Sequence, residues 1–219
     1  VAEERVPVSE IVLAASRVAE AKRSEMLGPV LAVSRAANAI TVARGPLLYD
    51  ADDFSPLASR ERFSAMFLVA AVLYEALETA QQLGEHFEGQ APYEEGFGQL
   101  LENSKIAEFR RRSLKKFRDK GVFHFDSGFF RRAASQMEET DAIVGIHTTA
   151  MVKDTYISLS DDLMFDHILG PFRSNEQKVQ IFEEFSDMLV ETMNEFLKSA
   201  HQLVPYALYR LGAFSRRGV

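Results

Sequence analysis

The chain predicts an all-α fold, a helical bundle of four to five long helices with short connecting helices and room for one small β-hairpin. Three observations carry that expectation. Apolar residues recur at three- and four-residue spacing through most of the 219 residues. The segments with this period are far longer than a typical strand. Gly28-Pro29, Gly170-Pro171 and other Gly- or Pro-containing turns punctuate them. With 47% hydrophobic residues the chain can bury a sizeable core, and no repeat or linker divides it. Residues 1-219 therefore read as a single helical domain.

Taken in order, Ser9 suits the N-cap of a first helix with Ile11, Val12, Ala15, Val18 and Ala19 on one face. Gly28-Pro29 interrupts it, and Pro29 fits the first turn of a second helix reaching about Ala43. Arg44–Pro56 is a turn-rich connection with two prolines and three aspartates. A long helix follows from about Ser59 to Phe87, with Phe63, Met66, Phe67, Ala70, Leu73, Tyr74 and Leu77 at core spacing. Leu68, Val69 and Val72 fill its other faces, so this helix is expected to be central. Glu88–Gly96 reads as a loop. A third long helix is expected from about Phe97 to Gly121, with Leu100, Leu101, Ile106, Phe109, Leu114 and Phe117 as its apolar set.

Asp126 or Ser127 suits the cap of a short helix through Met137. In Thr140–Leu159 the β-prone Ile143, Val144, Ile146, Thr155, Tyr156 and Ile157 allow the small hairpin. Ser160 caps a short helix to about Leu169. The last long helix, about Ser174–Val204, carries Val179, Phe182, Phe185, Leu189, Met193, Phe196 and Leu197, and Pro205 marks its end or a kink.

Composition narrows the function. There is no cysteine, which removes disulfides, thiolate-held metals and thiol nucleophiles. Gly-x-Gly-x-x-Gly, Walker A, Glu-x-x-His and His-Glu-x-x-His patterns are all missing, so no cofactor is expected. The longest apolar run, Ala65–Tyr74, falls short of the ~20 residues a membrane span needs. VAEERVPVSE has no basic region ahead of an apolar one, so no secretory signal is read. The expectation is a cytoplasmic protein with no membrane association.

Charge is unevenly spread. Net charge is −7, yet Lys105–Lys120 holds eight basic residues (Lys105, Arg110, Arg111, Arg112, Lys115, Lys116, Arg118, Lys120) against Glu108 and Asp119. A +6 segment in an acidic chain suggests a site for an anion. Arg111, Arg112, Lys115 and Lys120 are the candidate anion- or RNA-binding residues. On an ideal helix with Phe109 at zero, Ile106, Phe117 and His124 share about one third of the circumference. Arg111, Lys115 and Arg118 then lie about 100–180° away on the other flank. A distortion at Gly121 would bring Arg118 and His124 into one cleft. An arginine fork and a histidine that titrates near neutrality suit phosphodiester chemistry without metal.

Arg118, the polar Asp119 after it, and His124 resemble the Arg–polar–spacer–His signature of the HEPN superfamily. Asp119 stands where that family more commonly has Asn. The resemblance implies a helical bundle with the motif near the end of a long core helix. In active members it implies a metal-independent endoribonuclease, often within a toxin–antitoxin or antiphage system. Carried over, His124 would act as the acid–base group, Arg118 would stabilise the transition state, and Asp119 would orient one of them. The partners so implied are RNA, a second copy in a homodimer, and an antitoxin or other protein.

The residues leave alternatives open. One is a non-catalytic helical module that binds a protein or anionic ligand through the basic helix, with Arg118 paired to an acid and His124 packed among phenylalanines. Another is a metal-dependent hydrolase built on Asp162, Asp166 and His167. Ser160 with the acids behind it reads more simply as a capped helix start, and no metal is expected there. Asp50, Asp52 and Asp53 read as solvated loop acids, and His147 as a core or rim residue. Phe129 and Phe130 beside Arg131 and Arg132 are the one aromatic pair suited to partial exposure.

Overall fold

The computed structural model describes residues 24–48, 55–119, 131, 135, 159–170, 172 and 174–212. Among these the protein is all-α, with no strand. The expected first helix, the helix through Met137 apart from Arg131 and Ser135, the hairpin residues 140–158, and Asp50, Asp52, Asp53, His147, Phe129, Phe130 and Arg132 lie outside the described residues.

Helix α1 (Leu27–Ala43) takes Pro29 into its first turn and buries Val30, Val33, Ala37, Ile40 and Ala43, a three- and four-residue spacing that makes one stripe. A single turn, α2 (Gly45–Leu48), leads on to α3 (Pro56–Phe87). The Ser55 hydroxyl accepts the Ala58 N–H at 3.3 Å and Pro56 fills the next position, which fixes the α3 start three residues before Ser59. Val69, Ala70, Ala71, Leu73, Leu77, Ala80, Leu83 and Phe87 are all fully buried, so α3 is the central helix. Within it, Arg60–Phe87 is long and apolar enough by composition to cross a membrane, and 56% of its most apolar stretch is packed inside the protein. That apolarity serves the core.

The expected loop at Glu88–Gly96 is largely helix. Gly89 turns the chain at φ 75, a left-handed conformation that favours glycine. Helix α4 then spans 91–102 as Ala91–Tyr93, a π-helical turn at Glu94–Gly98, and Gln99–Glu102. The wide turn buries Gly96, Phe97 and Gly98 in succession. Gly96 lets the backbone approach the last helix, where an added Cβ would sit 3.0 Å from Ser199 Oγ.

The expected single helix from Phe97 to Gly121 is broken at Asn103. Asn103 is extended (φ −65, ψ 112), and its Oδ1 accepts the Lys105 and Ile106 N–H groups at 3.0 and 3.4 Å. It ends α4 and caps α5 (104–119). Helix α6 (Leu159–Leu169) ends at Gly170, and α7 (Asn175–Arg210) opens on Ser174, whose hydroxyl accepts the Gln177 N–H at 3.2 Å. Pro205 does not end α7. The turn beyond it is held by Tyr206 Oη and Arg210, which donate to Gln90 Oε1 at 3.1 and 2.6 Å.

A phenylalanine cluster joins α3, α5, α6 and α7. Phe117 stacks on Phe67 at 5.4 Å and packs against Phe185 at 4.9 Å, while Phe109 and Phe165 reach Phe185 at 5.4 and 6.4 Å. These rings are core, as their spacing predicts.

Candidate anion-binding helix

Helix α5 positions every described member of the expected site. Its buried residues are Ile106, Phe109, Leu114 and Phe117. The five-residue step from Phe109 to Leu114 cannot lie on one face of a straight α-helix. The chain absorbs the extra residue in a π-helical turn at Arg110–Leu114. Everything after that turn is rotated relative to an ideal helix, and this moves Arg118.

Arg118 is therefore not on a free flank beside Arg111 and Lys115. It leans on α3, where its Nε donates to Glu75 Oε1 at 2.5 Å and its Nη1 to Asp119 Oδ1 at 2.8 Å. Arg110, eight residues earlier, reaches the same helix and pairs with Glu78, while its two terminal nitrogens each donate to Gln81 Oε1 at 3.2 Å. Both guanidinium carbons lie 5.9 Å from the Tyr74 ring centroid. Without the π turn, eight residues would put these arginines about 80° apart; with one residue absorbed they share the α3-facing side. The result is a polar seam of Tyr74, Glu75, Glu78, Gln81, Arg110, Arg118 and Asp119 along two packed helices.

Electrostatics follow this arrangement. Hydrogen bonds to Asp119 and then Glu75, with the Glu75 charge behind them, raise Arg118 further above its already high value. Burial, then the Glu78 charge, pushes the Tyr74 phenol up, and Arg110 opposes that. Arg118 is thus a fixed cation whose charge is answered by two carboxylates.

The remaining cations divide clearly. Arg112 pairs with Glu108 one turn back at 3.0 Å. Lys116 Nζ donates to the Ile168 carbonyl at 3.0 Å, capping the last turn of α6. Lys105, Arg111 and Lys115 are exposed and pair with no acid among the described residues. His124 and Lys120 lie outside the described residues.

Elsewhere, Asp166 pairs with Lys178 at 2.6 Å, and the Asp162 side chain lies outside the description. No group of three or more His, Asp or Glu able to hold a metal stands together among the described residues. The residues that sequence reasoning missed are Glu75, Glu78 and Gln81, the acceptors on α3, with the Tyr74 ring beneath the two arginines. Their signal was visible: two carboxylates three apart that follow the apolar run Ala65–Tyr74, in a chain with a helix rich in arginine. Compared with family models, curated proteins and solved structures, the chain has no match.

Proposed function

We propose that this protein is a non-catalytic helical module that binds an anionic ligand through the outer face of α5, with single-stranded RNA as the ligand class the motif resemblance suggests. Arg111 and Lys115 make the contact. The observation that carries the reading is the division of charge on α5. Arg118 is neutralised by Glu75 and Asp119, whereas Arg111 and Lys115 are exposed and pair with no acid among the described residues. An endoribonuclease role needs Arg118 to meet a phosphate, and its hydrogen bonds to Glu75 and Asp119 compete with that. Cations held only by solvent are the ones an incoming phosphate can recruit, with counterion release as the driving force.

Fluorescence anisotropy with labelled single-stranded RNA, read across a salt series, tests this. Arg111→Glu with Lys115→Glu should weaken binding by at least about tenfold at low salt and flatten its salt dependence. Arg118→Gln should bind like the parent. RNA incubated with the protein in EDTA should stay intact; cleavage lost on His124→Ala or Arg118→Ala would replace this reading with the nuclease.

A further inference from the structure

We propose that a second copy of this chain is itself a partner for the α5 face, presenting the outer acidic stripe of α7. The proposal rests on the reading of Arg111 and Lys115 as contact residues and names what they meet when no polyanion is present.

The acids on α7 are as one-sided as the bases on α5. Residues 175–195 hold Glu176, Glu183, Glu184, Asp187, Glu191 and Glu195 against Lys178 alone. With Phe185, Leu189, Met193 and Phe196 turned into the core, Glu176, Glu183, Asp187 and Glu191 recur seven, four and four residues apart on the outward face, and all four are exposed. Local partners take their neighbours: Gln180 donates to Glu184, Lys198 pairs with Glu195, and Lys178 is committed to Asp166. Glu183, Asp187 and Glu191 meet no cation among the described residues.

Among the described residues one molecule therefore carries two unpaired sets of opposite sign, each on a helix tied into the core by aromatic rings. Within each set the key pair is four residues apart, Arg111 with Lys115 and Asp187 with Glu191. Asp187 and Glu191 stand about 6 Å apart along α7, and Arg111 and Lys115, about one turn apart across the π-helical turn of α5, can face them. At one end of the acidic stripe, Val179 is 56% exposed in a shallow groove with Glu176, Gln180 and Glu183. That surface can take the alkyl stem of a lysine or arginine whose head reaches the carboxylates. Every copy bears both halves of the contact, so association needs no other component.

Charge exchange provides the test. Sedimentation velocity of the full chain should show association at 50 mM NaCl that is lost at 500 mM, where exposed pairs are screened. Arg111→Glu/Lys115→Glu alone and Asp187→Lys/Glu191→Lys alone should each sediment as monomer, because each then opposes like charges. Mixed in equal amounts they should associate again, since both contacts become attractive. The proposal is overturned if the parent is monomeric at every salt concentration, if either variant alone associates like the parent, or if the mixture stays monomeric. RNA binding by the same two variants separates this from the functional reading. Loss in the first and retention in the second supports RNA contact at α5 whatever the sedimentation shows, and retention in both removes it.

Discussion

Helix α3 is held on one side by shape and on another by charge, and the two contacts differ in what they tolerate. Toward its C-terminal end, Gly84 accepts the Tyr93 ring so closely that an added Cβ would lie 2.7 Å from the phenol oxygen and 3.3 Å from the carbon bearing it. Tyr93 is only 7% exposed there. About two turns earlier, Glu75 and Glu78 reach out to Arg118 and Arg110 with side chains roughly half open to water. The first contact is dry and steric, so salt should not reach it. The second is wet and coulombic, and its strength depends on the solvent. The same helix thus separates what holds the bundle from what arranges its surface.

The largest expected effect lies beneath the charged seam. Phe117 is fully buried between Phe67 and Phe185, and it attaches α5 to the core whatever the arginines do. Phe117→Ala should lower unfolding free energy by about 3–5 kcal/mol in a denaturant titration, equally at low and high salt. A loss below 1 kcal/mol would mean that the seam, not the aromatic core, holds α5.

The Gly84 contact should come next. Gly84→Ala forces its methyl group against the Tyr93 oxygen and should cost about 1–3 kcal/mol as overpacking. Tyr93→Phe removes that oxygen and gives up only a 3.5 Å hydrogen bond to the Ala80 carbonyl. Gly84→Ala should therefore be milder in the Tyr93→Phe background, with the two changes coupled by about 1 kcal/mol. Independent, additive effects would show that the ring moves aside freely and that the contact is not a steric lock.

These contacts also mark where the sequence was legible. The helices α1, α3, α6 and α7 follow from apolar period and turn signals, because local rules and burial agree there, although Ser160, expected to cap α6, lies inside it. Two errors share one cause, the assumption of a straight helix over 97–121. The apolar set Leu100, Leu101, Ile106, Phe109, Leu114 and Phe117 contains two five-residue steps. A straight α-helix keeps neither on one face. The first step is the break at Asn103 and the second is the π turn at Arg110–Leu114. Once the second is recognised, Arg110 and Arg118 fall on the same side and the pairing with α3 becomes readable. The extension of α7 past Pro205 had no local signal, since Gln90, far away in sequence, supplies the contact.

The smallest effect is the one that sharpens the comparison. Arg118→Gln and Glu75→Gln should each change stability little, because both side chains are half in water and screening weakens what they gain. What matters is the coupling between them and its dependence on salt. A double-mutant cycle at 50 mM NaCl should show a favourable interaction that fades toward zero by 500 mM, while the Gly84–Tyr93 cycle stays constant over the same range. A coupling between Arg118 and Glu75 that survives high salt would mean that the pair is shielded from solvent on the folded protein. In that case Arg118 could not exchange its carboxylate for a phosphate without loosening α5 from α3, and the separation of its role from that of Arg111 and Lys115 would become stricter.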